Sequence, residues 1–106
     1  MNRCNTNIYF DVAVMNITRN INQPNTKYIG IINRGASVKD LKVEVRDETG
    51  TVITGCDYTI QLFKAKETDI LTCDTAINRL SAIIDPLNDV NETDEENTME
   101  ADFTSG

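Results

Sequence analysis

The stretch LKVEVRD, residues 41–47, decides the fold class of this chain. Three aliphatic residues alternate in it with three charged ones: Leu41, Val43 and Val45 against Lys42, Glu44 and Arg46. Because successive side chains of an extended chain point to opposite faces, a period of two places the aliphatic side chains on one face and the charges on the other. The stretch is therefore predicted to be a β-strand with one face in the core and one in solvent.

The same period of two recurs along the chain and predicts six further strands. They cover residues 8–17, 27–35, 51–63, 68–73, 77–85 and 98–103. In the fourth strand the alternating apolar positions are Tyr58, Ile60 and Leu62, and the polar, glycine-containing segment 47–50 before it is typical of a hairpin turn. About seven short strands without a helical stripe predict an all-β, antiparallel sandwich of the immunoglobulin or fibronectin type III kind.

The length and charge of the chain limit the number of domains and the classes of partner that are expected. A single domain is expected over residues 8–104, after a frayed segment at 1–7. The net charge is −7, and residues 80–106 carry eight acidic residues and no Lys or Arg, whereas residues 1–79 are nearly neutral. Nucleic acids and anionic membrane surfaces require clustered positive charge, so neither is an expected partner. No apolar run reaches the roughly 18 residues that cross a bilayer, and the start MNRCNTN lacks the apolar core of a signal peptide.

Three segments in order along the chain carry a family resemblance. They are DVAVMNI at 11–17, IINRG at 31–35 and AIIDPLNDVNETDEENT at 82–98. Together they resemble the CARDB family, the cell-adhesion-related domain of bacteria and archaea, and the third is the most specific. The chain departs from that family in two places: Asn97 is followed by Thr98 instead of a second Asn, and the turn at 64–67 lacks the glycine that the family often has there.

The resemblance implies an immunoglobulin-like module of a larger secreted or cell-surface protein, with a structural or adhesion role and no catalytic activity. Its expected partners are the neighbouring domains of the parent protein; the resemblance supplies no ligand, and a protein or a carbohydrate at the cell surface is the candidate. The absence of His points the same way, because it removes the commonest general base and most zinc sites. Carboxylates adjacent on a strand, such as Asp94 and Glu95, point to opposite faces and cannot act as an acid–base pair.

The acidic stretch DPLNDVNETDEEN, residues 85–97, suggests calcium as a cofactor, because Ca²⁺ prefers carboxylate and amide oxygens. The candidate ligands are Asp85, Asn88, Asp89, Asn91, Glu92, Asp94 and Glu95. The helix–loop–helix calcium pattern fails, since a loop starting at Asp89 would need Gly at position 94. The alternative is a hairpin connection in which these side chains bind exposed backbone groups, and no cofactor is present.

Two cysteines are candidates for a disulfide. Cys56 and Cys73 lie on successive predicted strands, so a cross-strand bridge can form if they occupy paired positions on one face. The alternative is that both are small buried apolar residues. A disulfide would fit an exported protein, and Cys4 is left unpaired in the frayed segment.

Three further features suggest functions at a cell surface. Tyr9, Tyr28 and Tyr58 form either an aromatic platform for carbohydrate or part of the core. Unpaired sheet edges would allow copies to join into a filament, which is the remaining alternative function. The tripeptides that begin at Asn16 and Asn91 fit the pattern for N-glycosylation.

Overall fold

The computed structural model describes residues 11–84 and 98–104, and these form seven strands and no helix. The strands are β1 Val12–Arg19, β2 Thr26–Asn33, β3 Val38–Asp47, β4 Val52–Phe63, β5 Thr68–Asp74, β6 Arg79–Ile84 and β7 Thr98–Asp102. Each predicted strand has its counterpart in this series, and the all-β prediction is confirmed. The predicted domain boundaries at residues 7 and 8 lie outside the described residues, so they stay a prediction.

The strands form two antiparallel sheets. One has the order β1-β2-β5 and the other the order β4-β3-β6-β7. In a constant-type immunoglobulin domain the fourth strand joins the first sheet, whereas here it pairs with β3, as in fibronectin type III domains. The predicted sandwich class is therefore confirmed.

The inner faces of the two sheets form an aliphatic core. In β3 and β6 the buried residues alternate as the sequence predicts, with Leu41, Val43 and Val45 on one strand and Leu80, Ala82 and Ile84 on the other. In β1, Val12 and Val14 face the core, and the register then shifts before Asn16. The bulge turns Asn16 outward and directs Ile17 toward the core.

The predicted alternation is wrong at the end of β4. Leu62 is 46% exposed, whereas Phe63 is buried in the core. The cause lies on the partner strand, where Asp40 has a positive φ of 53° and interrupts the alternation of β3. Beyond that point Val38 faces inward with its partner Phe63, and Leu62 turns to solvent. A period of two cannot reveal such a switch, because it assumes regular backbone throughout.

The described chain enters the sandwich at one end, here called the upper pole, and leaves it at the opposite end, the lower pole. At the upper pole Arg34 donates to Asp11 through its backbone N–H, at 2.8 Å, and through Nη2, at 3.0 Å. At the lower pole the N–H of Phe103 donates to the carbonyl of Asn78 at 2.8 Å, and Arg19 stacks over the Phe103 ring. We use these two names below for the ends marked by Asp11 and by Phe103.

Candidate functional site

An open groove of about 660 Å³ lies on the outer face of the four-stranded sheet, beside the β3–β4 turn. It forms because the residues between the buried positions of β3, β6 and β7 all point outward, and the strand register places them in rows. One row joins Arg46, Ser81 and Glu100, and the next joins Arg79 and Asp102. The groove therefore combines side chains that are distant in sequence.

Ion pairs fix the two arginines of the groove. Arg79 lies 3.2 Å from Asp102 through Nε and 3.8 Å from Glu48 through Nη1, and all three side chains are more than half exposed. Arg46 Nε donates to Glu44 at 3.0 Å. Exposed pairs such as those of Arg79 contribute only about 0–1 kcal/mol to folding. Their positions therefore matter more for what the groove can bind than for stability.

Two carboxylates at the groove are held in the ionised form by hydrogen bonds. The hydroxyl and backbone N–H of Thr49 and the N–H of Thr51 donate to Asp47, and these bonds lower the pKa of Asp47. The hydroxyl and N–H of Thr104 donate to Asp102 and, with Arg79 as a smaller cause, lower the pKa of Asp102. Both groups are fixed negative charges at neutral pH.

The chemistry of the groove suits recognition of a charged or polar partner. Two guanidinium groups and several carboxylates surround the Ser81 hydroxyl and the side chain of Ile83. Within residues 11–84 and 98–104 no group of three or more His, Cys, Asp or Glu side chains is placed to hold a metal ion. Charge complementarity of this kind governs specificity and association rate, and it weakens as salt is added.

The predicted calcium ligands are not in this part of the molecule. All seven candidates, Asp85, Asn88, Asp89, Asn91, Glu92, Asp94 and Glu95, lie outside the described residues. The calcium hypothesis therefore stays a prediction.

A disulfide joins Cys56 of β4 to Cys73 of β5, with both residues buried and their Cα atoms 5.3 Å apart. The expected geometry was wrong in one respect: β4 and β5 are edge strands of different sheets, so the bridge crosses the sandwich and does not link paired neighbours. The turn at 64–67 carries the chain from one sheet to the other. Close by, the Tyr58 hydroxyl donates to the carbonyl of Thr72. A covalent bond and a hydrogen bond thus close this side of the sandwich.

Asn33 is a fully buried polar residue that organises the upper pole. Its Nδ2 donates to the carbonyls of Ala36 and Phe63, both at 2.9 Å, and its Oδ1 accepts from the N–H of Gly35 at 2.9 Å. These bonds tie the end of β2 to the following loop and to the end of β4. Asn33 is the central residue of the IINRG segment quoted above, so the structure gives that segment a physical role.

Lys27 is the second fully buried polar residue and the only cation buried in the described chain. Its Nζ donates to the carbonyl of Thr75 at 2.6 Å. Burial, and then the nearby charge of Arg19, lower the pKa of Lys27. The sequence contains a signal for both buried polar residues, because Lys27 and Asn33 share the period-two phase of Ile29 and Ile31 in TKYIGIIN.

The described tyrosines each use their hydroxyl within the protein. Tyr28 accepts a hydrogen bond from Asn20 Nδ2 at 2.9 Å, and Tyr58 donates to Thr72. Tyr58 also packs against the core. Tyr9 lies outside the described residues. These contacts favour packing over a sugar platform, which stays a hypothesis.

Comparison with known proteins places the chain by fold. No family model matches it, and no curated protein is significantly similar in sequence. The solution NMR structure of a domain from Methanosarcina acetivorans, residues 272–376 of a protein provisionally named as a cell surface protein, is similar with a TM-score of 0.71. The two are 22% identical, and the match covers 88% of this chain and 89% of that one. At this identity the likeness shows a shared fold.

No helix of the described chain is long and apolar enough to cross a membrane.

Proposed function

We propose that this chain is a non-catalytic structural or adhesion module of an exported cell-surface protein, in which it separates and connects neighbouring domains. The observation that carries the proposal is the placement of the ends. Asp11 is held at the upper pole and Phe103 at the lower pole, so segments joined at these points would continue in opposite directions.

The strand order suits a module that transmits tension. β1 and β7 bear the two ends and are the outer strands of the two sheets on the same side of the sandwich. Pulling the ends apart would therefore load the antiparallel ladders β1–β2 and β6–β7 along the strand direction, so that many backbone hydrogen bonds oppose it together.

Other features of the chain support the same function. The disulfide is of the kind that persists in oxidising environments outside the cytosol. A solved domain with this fold comprises residues 272–376 of a protein provisionally named as a cell surface protein. The CARDB resemblance implies the same context. The groove supplies a surface for a charged protein or carbohydrate partner, and the chain has no His to serve as a general base there.

Labelling of intact cells tests the location. A membrane-impermeant amine reagent is applied to cells that make the parent protein, together with a cytosolic protein as control. We expect the parent to be labelled before lysis and Cys56 and Cys73 to resist alkylation. Labelling only after lysis, with both cysteines alkylated, would contradict the proposal.

Force spectroscopy of a tandem array tests the mechanical role. The disulfide joins residues 17 apart, which would span roughly 61 Å at about 3.6 Å per residue. The bridged pair spans 5.3 Å, so each oxidised module is expected to extend by roughly 56 Å less than the matched variant with Cys56→Ala and Cys73→Ala. Modules that unravel gradually, without discrete unfolding events, would argue against a load-bearing role.

A further inference from the structure

We propose that Asn16 is an N-glycosylation site whose sugar covers the outer face of the three-stranded sheet; this rests on the proposed export of the protein. Asn16, Ile17 and Thr18 fit the acceptor pattern, and a pattern of three residues has many chance matches. The structure adds three observations: the direction of the side chains, the gap beneath Asn16, and the apolar surface beside it.

The strand presents the two acceptor side chains together. After the bulge in β1, Asn16 and Thr18 point to solvent while Ile17 packs against the core. Both polar side chains are exposed, and neither takes part in a hydrogen bond within the described residues. Their polar atoms are therefore open to solvent and to a modifying enzyme.

A glycine makes room under Asn16. The register pairs Asn16 with Gly30 of β2, and a Cβ at Gly30 would overlap with Asn16 Oδ1. Oδ1 of Asn16 therefore occupies the space that a side chain at position 30 would need, whereas Nδ2, the atom that would carry a sugar, is not among the three atoms nearest to that space. Gly30 also has an ordinary backbone φ, so a turn or strained conformation does not account for glycine at this position.

Apolar surface lies on both sides of this gap. Ile70, the partner of Gly30 on β5, is 66% exposed, and Met15 beside Asn16 is 43% exposed. The row Asn16, Gly30 and Ile70 thus has an acceptor amide at one end and an exposed isoleucine at the other. Pyranose rings carry C–H groups on their faces, so a sugar joined to Asn16 would pack over Gly30 against Ile70 and remove apolar surface from water.

The modification is a group transfer from a lipid-phosphate-linked oligosaccharide. Nδ2 of Asn16 forms a bond to the anomeric carbon of the sugar, and the bond from that carbon to the phosphate oxygen breaks. The lipid phosphate leaves with the electron pair of that bond, and Nδ2 loses one proton. No oxidant or reductant is required.

Peptide mass spectrometry of the parent protein from its native cells tests the proposal. Trypsin cleaves after Arg3 and Arg19, so the peptide 4–19 contains Asn16, whereas Asn91 falls in the peptide after Arg79. We expect a sugar-sized mass increase on peptide 4–19. It should be lost in Asn16→Gln and in Thr18→Ala, and kept in the matched variant Thr18→Ser, which retains the acceptor hydroxyl.

The outcomes separate this proposal from the proposed function. Surface-labelled protein with a modified Asn16 supports both. Surface-labelled protein in which peptide 4–19 has its unmodified mass overturns the glycosylation proposal and leaves the surface role standing. Protein that is protected in intact cells, with alkylated cysteines and an unmodified Asn16, overturns both.

Discussion

Removing the side chain of Asn33 should destabilise the domain more than any other single polar truncation at the upper pole. Asn33→Ala deletes three hydrogen bonds of 2.9 Å, to the carbonyls of Ala36 and Phe63 and from the N–H of Gly35. A typical intramolecular hydrogen bond contributes about 1 kcal/mol net, so the loss should be about 3 kcal/mol. The carbonyl of Phe63 is buried, and leaving it without a donor adds to the cost.

Urea unfolding followed by circular dichroism measures this loss, with the disulfide kept oxidised. Thermal unfolding gives a second measure of the same loss. At about 4–8 °C per kcal/mol for a domain of this size, the melting temperature of Asn33→Ala should fall by roughly 12–24 °C. Asn22→Ala is the matched control, because Asn22 is exposed and its side chain makes no hydrogen bond within residues 11–84 and 98–104. The control should stay within about 0.5 kcal/mol of the native chain.

A second variant tests whether the donors of Asn33 are the essential part. Asn33→Asp keeps the size and the acceptor for Gly35, and it places a carboxylate oxygen against the carbonyls of Ala36 and Phe63. Only the protonated acid can donate there, so the pKa of the new carboxyl should be raised in the folded state. The variant should then be most stable at acidic pH and lose stability as the pH rises. If Asn33→Ala behaves like Asn22→Ala, or if Asn33→Asp shows no such pH dependence, the reasoning about this residue is wrong.

Three further predictions concern stability. The variant with Cys56→Ala and Cys73→Ala should lose about 3 kcal/mol, the chain-entropy value for a 17-residue loop, and its urea midpoint should no longer respond to reductant as that of the native chain does. Lys66 has a positive φ of 69°, so Lys66→Gly should gain about 0.5–1 kcal/mol, whereas Lys64→Gly, at a neighbouring position without positive φ, should lose stability in the same assay. Because the pKa of Lys27 is lowered on folding, the folded state binds fewer protons than the unfolded state as the pH approaches the ordinary value of 10.5, and stability should rise toward that pH. This rise should be absent in Lys27→Met, and a rise of the same size in that variant would refute the assignment.

The alternation of apolar and polar residues was sufficient to predict the strands, but it did not predict how the strands pack against one another. LKVEVRD and the segment at Leu80–Ile84 have the alternation of half-buried strands, and the structure places them side by side in one sheet. The exposure of Leu62 could not be foreseen, because it depends on the left-handed backbone of Asp40 on the partner strand. The backbone conformation of a single residue thus accompanies the change in which face of β4 is buried.

The candidate site is harder to predict because it depends on register between distant strands. Arg46 and Glu100 lie 54 positions apart and reach the same row only through Ser81. The sequence named Cys56 and Cys73 as a candidate pair but not their position in different sheets, since the strands of both sheets have the same alternating pattern. The role of Asn33 could be predicted only in part. Its segment carried a family resemblance, but only the structure shows that its amide binds the end of β4.

The two sides of the sandwich are closed by different kinds of bond, and this bears on the proposed function. On the β4–β5 side a disulfide and the Tyr58 hydroxyl join the sheets. On the β1–β7 side the junction is non-covalent: the Arg19 guanidinium lies 5.2 Å from the Phe103 ring centroid and donates to the Phe103 carbonyl at 3.2 Å. The strands that would receive tension are therefore those on the side that can open reversibly. The covalent side would hold the remaining strands in register, so that a module stretched at a cell surface could close again when the load falls.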